Sequence, residues 1–146
     1  MKFYNSDGSC CPKFDQGPNP FVTNLCKNTM NNNNFRAALW TGMDLQLTVM
    51  TIPCNSEIGL EIHCDHDQFL YIESGIGHMM MGSCKNCLDY QCKVTGGFGI
   101  FIPVNTWHNL INIGNCDLKL FSIYAPPQHP FGTIHHTKFD SDQAES

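Results

Sequence analysis

The chain has 146 residues and a formal net charge of −5, and Arg36 is the one arginine among its eight basic residues. This length suits a single domain with its own hydrophobic core. The acidic balance and the lack of a basic stripe exclude a typical nucleic-acid-binding protein, and no apolar run reaches the roughly 18 to 20 residues of a membrane span.

The cysteines and the N-terminus bear on the cellular compartment. Residues 1–20 consist largely of turn formers and lack the apolar core of a signal peptide, so we expect a cytoplasmic protein. The cysteine count of nine is odd, and the spacing is irregular, which favours reduced thiols over a disulfide scaffold. Cys84, Cys87 and Cys92 offer three thiols where structural zinc needs four ligands, which favours an incidental hairpin.

The chain order predicts a polar N-terminal arm (1–20), a β-barrel domain (21–126) and a C-terminal tail (127–146). "FVTNL" and "FRAALW" have the composition of early edge strands, and the asparagine run between them predicts a loop. Further short strands follow, at "LQLTVMTI", "GLEIH", "QFLYIES", "GHMMMG", "CKV", "GIFIP", "WHNLINI" and "LKLFSIY". No helical period precedes Tyr124; the tail is the best candidate for a helix, although "FDSDQAES" is polar enough to fray.

Many short strands separated by turn formers, without helices between them, are typical of an all-β sandwich or barrel with antiparallel pairing. An unpaired apolar edge strand tends to associate, so the early strands also predict a homodimer.

The stretch "GLEIHCDHDQFLYIESGIG" places potential ligands just before an apolar strand. Side chains on a strand alternate between its faces, so Glu61 and His63 point to the same side and can converge on one ion. Cys64 then points away. Asp65 and His66 fall in a turn, where solvated side chains are the usual outcome, although His63 and His66 form an alternative ligand pair.

A second candidate lies in "GGFGIFIPVNTWHNLIN". His108 follows a tight turn and starts a strand, which is a suitable position for a side chain that faces the inside of a barrel. In the tail, His129, His135 and His136 are expected to cover the outer surface of the barrel.

These residues resemble the two motifs of the cupin superfamily, G-x5-H-x-H-x(3,4)-E-x6-G and G-x5-P-x-G-x2-H-x3-N. The second motif matches from Gly97 through Pro103 and His108 to Asn112, with Asn105 in place of the middle glycine. The first motif matches in spacing from Asn55 to Gly75, with Glu61, His63 and Gln68 at the three ligand positions. The whole resemblance runs from about Phe21 to Lys138 and is nearest to small single-domain cupins of the mannose-6-phosphate isomerase-like, RmlC-like kind.

The resemblance implies a double-stranded β-helix, or jelly-roll barrel, that holds one divalent transition metal per chain. The implied ligands are Glu61, His63, Gln68 and His108, and Fe, Mn, Zn, Ni and Co are not distinguished. Relative to the usual three histidines and one glutamate, Glu61 stands at a histidine position and the neutral Gln68 stands at the glutamate position. The net charge of the ligand set is therefore preserved. Gln68 is either a ligand or a hydrogen-bond partner beside the metal.

The resemblance further implies a metal-dependent, isomerase-like enzyme that acts on a small polar molecule, sugar-like or oxo-acid-like, inside the barrel. Glu61 is then the candidate catalytic residue for proton transfer. Two alternatives stay open: a metal-dependent dioxygenase, since two imidazoles with one carboxylate resemble the facial set of non-haem iron, and a non-catalytic small-molecule-binding cupin. The single arginine counts against a phosphosugar substrate.

Overall fold

The computed structural model describes residues 14–145, which form nine strands and two short helices. In chain order these elements are α1 (Leu25–Asn31), β1 (Arg36–Thr41), β2 (Gln46–Ile52), β3 (Asp67–Ser74), β4 (Ile76–Gly82), β5 (Tyr90–Thr95), β6 (Gly99–Ile102), β7 (Trp107–Asn112), β8 (Leu118–Ala125), β9 (Ile134–His135) and α2 (Lys138–Glu145). Neither helix is long or apolar enough to cross a bilayer.

The strands form two antiparallel sheets. The larger sheet has the order β6-β3-β8-β2-β1-β9 and the smaller sheet has the order β5-β4-β7. Apolar side chains from both sheets meet in one core, for example Leu70 and Leu120 from the larger sheet with Met79 and Leu110 from the smaller one. The predicted all-β jelly-roll barrel is therefore confirmed.

Burial alternates along the strands, as the sequence pattern predicts. On β3, Leu70 and Ile72 are fully buried while their neighbours are partly exposed. Each such side chain contributes about 1.5 to 3 kcal/mol through removal of apolar surface from water. The apolar rows on the inner face of the larger sheet make one end of the barrel a conventional hydrophobic core.

The other end of the barrel has a polar inner face. Gln46, Tyr124 and Gln68 lie side by side across β2, β8 and β3, and all three are buried. Thr48 and Ser122 form the next pair along β2 and β8, and they are buried as well. Buried polar groups cost free energy unless they have partners, so this end of the barrel is the place to look for a ligand.

The prediction for "FVTNL" is wrong, because this segment is not a strand. Residues 21–24 are irregular and α1 begins at Leu25, so a helix does precede Tyr124. The side chain of Asn24 accepts a hydrogen bond from the backbone N–H of Lys27 and caps the helix. A helix of seven residues is too short to show a clear amphipathic period.

The prediction of a strand at "GLEIH" is also wrong. The segment forms no ladder with β7: the two pair through the isolated bridge between Glu61 and His108, and the backbone N–H of Gly59 donates to Asn109 Oδ1 at 2.9 Å. Gly59 has a φ of 107°, which breaks the extended backbone before a ladder can form.

The C-terminal tail combines a strand with the helix that its composition favoured. β9 pairs with β1 through Arg36–His135 and Ala37–Ile134, so the tail extends the larger sheet. "KFDSDQAE" forms α2 rather than a frayed end. Residues 1–13 of the predicted N-terminal arm lie outside the described residues.

The cysteines differ in part from the expectation of reduced thiols. Cys84 and Cys87 form a disulfide in the turn between β4 and β5. The backbone N–H of Cys87 donates to the carbonyl of Cys84, and this tight turn brings the two Cα atoms to 4.9 Å, within the range that a disulfide needs. The free cysteines among residues 14–145 are all exposed; they are Cys26, Cys54, Cys64, Cys92 and Cys116. Cys10 and Cys11 lie outside the described residues.

Candidate metal centre

Two backbone contacts bring three candidate ligands together. Glu61 and His108 exchange both of their backbone N–H groups and carbonyls, at 3.0 and 2.9 Å, so their side chains project side by side. The carbonyl of His63 accepts from the backbone N–H of Asn105 at 2.7 Å. Asn105 has a φ of 61°, the left-handed conformation for which the motif normally uses glycine.

The side chains of Glu61, His63 and His108 form a compact cluster. Glu61 Oε1 lies 3.4 Å from His63 Nε2 and 3.3 Å from His108 Nε2. One potential ligand atom from each residue lies within 4.8 Å of the others. All three side chains are largely buried, so water screens the cluster poorly.

The hydrogen bonding of His108 indicates what the cluster lacks. His108 Nδ1 contacts the carbonyl of Thr106 at 2.8 Å, and since a carbonyl only accepts, Nδ1 carries a proton. Its Nε2 is buried without a hydrogen-bond partner among the described residues, and the same holds for His63 Nε2. Both nitrogens therefore face the Glu61 carboxylate but are not aligned to form a hydrogen bond with it. This is the arrangement expected of ligands around a cation. Histidine ligands typically donate their other N–H to a carbonyl, as His108 does here.

The carboxyl group of Glu61 is held as an anion. Burial would raise its pKa, but interactions with His108 and His63 outweigh burial and place the pKa well below the ordinary value. The Glu61 side chain is therefore negatively charged at neutral pH and can bind a cation. A carboxylate with so low a pKa is a weak base but a good ligand for a cation.

Gln68, the fourth predicted ligand, lies on the inner face of β3 and is 3% exposed. Its Nε2 donates to Ser122 Oγ at 2.9 Å. Its Oε1 is buried without a hydrogen-bond partner in the described part of the chain. An amide oxygen left in this state is either a ligand or a cost of about 1 to 3 kcal/mol.

His66 was expected to be a solvated loop residue, and this expectation is wrong. Its side chain is 3% exposed and its ring centroid lies 4.3 Å from that of His63. Nδ1 pairs with Asp65 Oδ1 at 2.7 Å, and Nε2 is buried without a partner in residues 14–145. Burial lowers the pKa of His66, although Asp65 acts in the opposite direction. Asp65 itself is exposed, as predicted. The spacing of His63 and His66 was the signal for this pair.

A second polar group, which the sequence did not indicate, adjoins the cluster. The Tyr124 ring lies 6.0 Å from that of His63 and 5.2 Å from that of His129, and His129 is 6.0 Å from His135. His129 and His135 were expected on the outer surface, but both are buried, and only His136 is exposed. Burial, followed by the charge of Arg36, lowers the pKa of His129 to about 3.

The sequence did not predict this second group, because the group forms only when the C-terminal tail folds back over the barrel. Gln46 accepts through Oε1 from the backbone N–H groups of Gln128 and His129, and donates to the carbonyl of His129 at 2.9 Å. These bonds hold the loop after β8 across the polar end of the barrel. No local pattern in the sequence encodes that contact.

The residues present fit a divalent transition metal. Glu61, His63 and His108 offer one carboxylate and two imidazoles with unpartnered nitrogens, and Gln68 adds a neutral oxygen. Such a set suits Fe, Mn, Co, Ni or Zn, and it leaves coordination positions for a small molecule. When bound, such an ion would polarise an oxygen atom of that molecule as a Lewis acid.

Comparison with known proteins agrees with the fold. The family model described as a cupin domain matches residues 48–124. The chain is 53% identical over 131 residues to the uncharacterized protein YrkC of Bacillus subtilis, which covers 90% of this chain and 70% of that one. It also resembles the crystal structure of BH2720 from Bacillus halodurans, at 51% identity and a TM-score of 0.88, over 89% of this chain and 98% of that chain.

A more distant similarity links the fold to an enzyme. Oxalate decarboxylase of Bacillus subtilis, in a structure concerned with its Mn(II) centres, shares 17% identity and a TM-score of 0.55 over 61% of this chain and 23% of that chain. This likeness concerns the fold alone. The match of the family model, together with the two relatives at above 50% identity, shows that this chain belongs to the cupin family.

Proposed function

We propose that this cupin is a metal-dependent enzyme that acts on a small polar, oxygen-bearing molecule inside the barrel. One divalent ion per chain would be held by Glu61, His63 and His108, with Gln68 as a fourth ligand. The observation that carries the proposal is the pair of buried imidazole nitrogens that face the Glu61 carboxylate without hydrogen-bond alignment.

The polar end of the barrel supports a small-molecule site beside this centre. Tyr124 and His129 provide a phenol and an imidazole at the same end, with Tyr124 Oη 3.4 Å from His129 Nε2. Burial raises the pKa of Tyr124, so its hydroxyl keeps its proton and can donate to a substrate oxygen. Fixed donors in a dry site are the arrangement that stabilises developing negative charge on oxygen.

An isomerase-like reaction, the class that the family resemblance implies, needs a group that moves a proton. Glu61 is the candidate, and it could accept a proton only after its carboxylate leaves the ligand position, since its pKa is low while it contacts the two imidazoles. The ligand role of Glu61 is thus compatible with the cluster as it stands, whereas the catalytic role requires a rearrangement.

A dioxygenase is the second candidate, favoured by the set of two imidazoles and one carboxylate. The two reactions can be separated in one experiment. The metal-loaded protein would be incubated in deuterated water with small aldoses, ketoses and 2-oxo acids while oxygen consumption is recorded. Deuterium incorporation seen by proton NMR supports an isomerase-like reaction, and consumption of oxygen supports a dioxygenase.

Both activities should disappear in Glu61→Gln, which keeps the shape of the side chain but removes its charge. The matched control is Glu57→Gln, a glutamate that pairs with the same strand β7 at Ile111. If the loaded wild-type protein neither exchanges protons nor consumes oxygen with any compound, the enzyme proposal fails and a non-catalytic small-molecule-binding cupin takes its place.

We also propose a homodimer in the cytoplasm. The exposed Phe101 on the edge strand β6, in contact with Phe69 of β3, offers apolar surface for a second copy. A monomeric mass in light scattering would contradict the dimer.

A further inference from the structure

Arg36 is a buried cation close to the polar end of the barrel. It lies on β1 and is 2% exposed. Its Nη1 donates to Ser141 Oγ at 2.6 Å and to His135 Nδ1 at 3.2 Å, while its Nε is buried without a hydrogen-bond partner among residues 14–145. An arginine stays charged in proteins, so burial at this level requires a counter-ion.

The counter-ion in this structure is a poor one. Among the described residues, one ion pair reaches the guanidinium, from Glu145 Oε1 at 3.8 Å, which is beyond hydrogen-bond distance. The side chain of Glu145 is 41% exposed. Burial nevertheless raises the pKa of Glu145 in spite of the neighbouring Arg36. The planar guanidinium has donors suited to a closer, bidentate carboxylate than the one it has here.

The helix that carries Glu145 is weakly attached to the barrel. The two apolar side chains of α2, Phe139 and Ala144, are both exposed, and Phe139 is 69% exposed. Ser141 and Glu145 hold the helix to Arg36, and Lys138 Nζ lies close to Gly59, in the loop that leads to the metal cluster. A segment that buries little apolar surface opens at low free-energy cost.

Arg36 and the metal cluster act electrostatically on the same side chains. His129 experiences both the positive charge of Arg36 and the negative charge of Glu61, and Tyr124 does so as well. Glu145 in turn interacts with Glu61 and His63. Ring contacts join the two sites, because His135, which contacts Arg36, is followed by His129, Tyr124 and His63 at centroid distances of 6.0, 5.2 and 6.0 Å. A molecule that takes the position of the Glu145 carboxylate would therefore lie on Arg36, at the end of the barrel that also holds the proposed metal.

We propose that α2 is a lid, that Glu145 is an internal carboxylate that holds the lid closed on Arg36, and that the substrate is a small carboxylic acid. When α2 lifts, the carboxylate of the substrate replaces Glu145 on the guanidinium, and the rest of the molecule extends toward Glu61, His63 and His108. The assignment of a substrate rests on the proposed function, whereas the anion site and the lid do not.

The test uses glutarate, a small dicarboxylate, with the neutral glutaramide as comparator. Both compounds would be titrated calorimetrically into metal-free and metal-loaded protein. Glutarate should bind and glutaramide should not. In Glu145→Gln, glutarate should bind about five to ten times more tightly, as expected if the closed lid occupies about 80 to 90% of the wild-type population. Hydrogen exchange of residues 138–145 should become faster in the same variant.

Arg36→Gln should lose glutarate binding. If Arg36→Gln does not fold, Ser141→Ala provides a second test of the lid. Ser141→Ala removes one lid contact but keeps the charge, so it should speed up exchange in α2 and strengthen glutarate binding less than Glu145→Gln does. Unchanged affinity and unchanged exchange in Glu145→Gln would overturn the proposal, as would equal binding of glutaramide.

Metal content, measured on the same samples, keeps this test separate from that of the proposed function. Protein that loads metal but does not bind glutarate refutes the carboxylate site and leaves the metal proposal standing. Protein without metal in which Glu145→Gln still strengthens glutarate binding supports the lid while the metal-dependent enzyme fails.

Discussion

The substitution Gln68→Met tests whether Gln68 is a metal ligand or only a hydrogen-bonding residue of the core. The substitution keeps the length and approximate volume of the side chain at a position that is 3% exposed, but it removes the unpartnered Oε1. It also removes the hydrogen bond from Nε2 to Ser122. We expect the two roles of Gln68 to respond differently in metal-free and metal-loaded protein.

The metal-free protein should change little. Removal of a buried unsatisfied oxygen gains about 1 to 3 kcal/mol, while Ser122, which is fully buried, loses its partner at a cost of about 1 to 3 kcal/mol. For a chain of 146 residues the entropy of unfolding is about 0.3 kcal/mol per kelvin. The two effects nearly cancel, so the melting temperature of the metal-free variant should stay within a few kelvin of the wild-type value.

The metal-loaded protein should lose stability relative to wild type. Metal at about one hundred times its dissociation constant adds about 2.7 kcal/mol, or about 9 K at the entropy above. If loss of the Gln68 oxygen weakens binding about tenfold, the same metal concentration adds about 1.4 kcal/mol, or about 5 K. Differential scanning calorimetry with and without metal measures both values. An unchanged metal increment, together with a metal-free variant that melts several kelvin lower, would refute Gln68 as a ligand.

Two further predictions concern the groups around the cluster. Because the pKa of His129 falls from 6.5 to about 3 on folding, its contribution to stability is complete above pH 6.5 and is lost as the pH falls toward 3. Between pH 7 and 5, wild type should lose about 2 kcal/mol more of its free energy of unfolding than His129→Gln in urea titrations, with a constant difference above pH 7. Equal slopes for both proteins would contradict the assignment. Asn105→Gly should be tolerated, whereas Asn105→Val should cost about 1 to 2 kcal/mol at a φ of 61° and weaken metal binding through His63; equal stability of the two variants would contradict that role.

The sequence predicted the barrel well because strand patterns are local. Alternating burial on β3 and β4, together with turn formers between the strands, was sufficient to place the strands from β1 to β8, although the same reasoning added a false strand at "GLEIH". The two-motif spacing also located Glu61, His63 and His108 in one frame, and the structure brings these three side chains together.

The features that the sequence did not predict are short or depend on distant contacts. α1 depends on one asparagine cap, and the burial of His129 depends on hydrogen bonds from Gln46, which lies 83 residues away. His66 lies in a turn, where spacing alone does not determine the direction of a side chain. Arg36 stood out only as the single arginine, and its contact with Ser141 spans 105 residues.

Elemental mass spectrometry on tag-free protein, purified without chelator, tests the metal centre most directly. The samples are wild type, His63→Ala, His108→Ala and the control His78→Ala, a histidine on β4 that contacts Gln91 away from the cluster. We predict about one transition metal per chain in wild type and in the control, and loss of that metal in both ligand variants. Absence of metal from wild type, even after anaerobic reconstitution, or its retention in His63→Ala and His108→Ala, would contradict the metal centre proposed for this cupin.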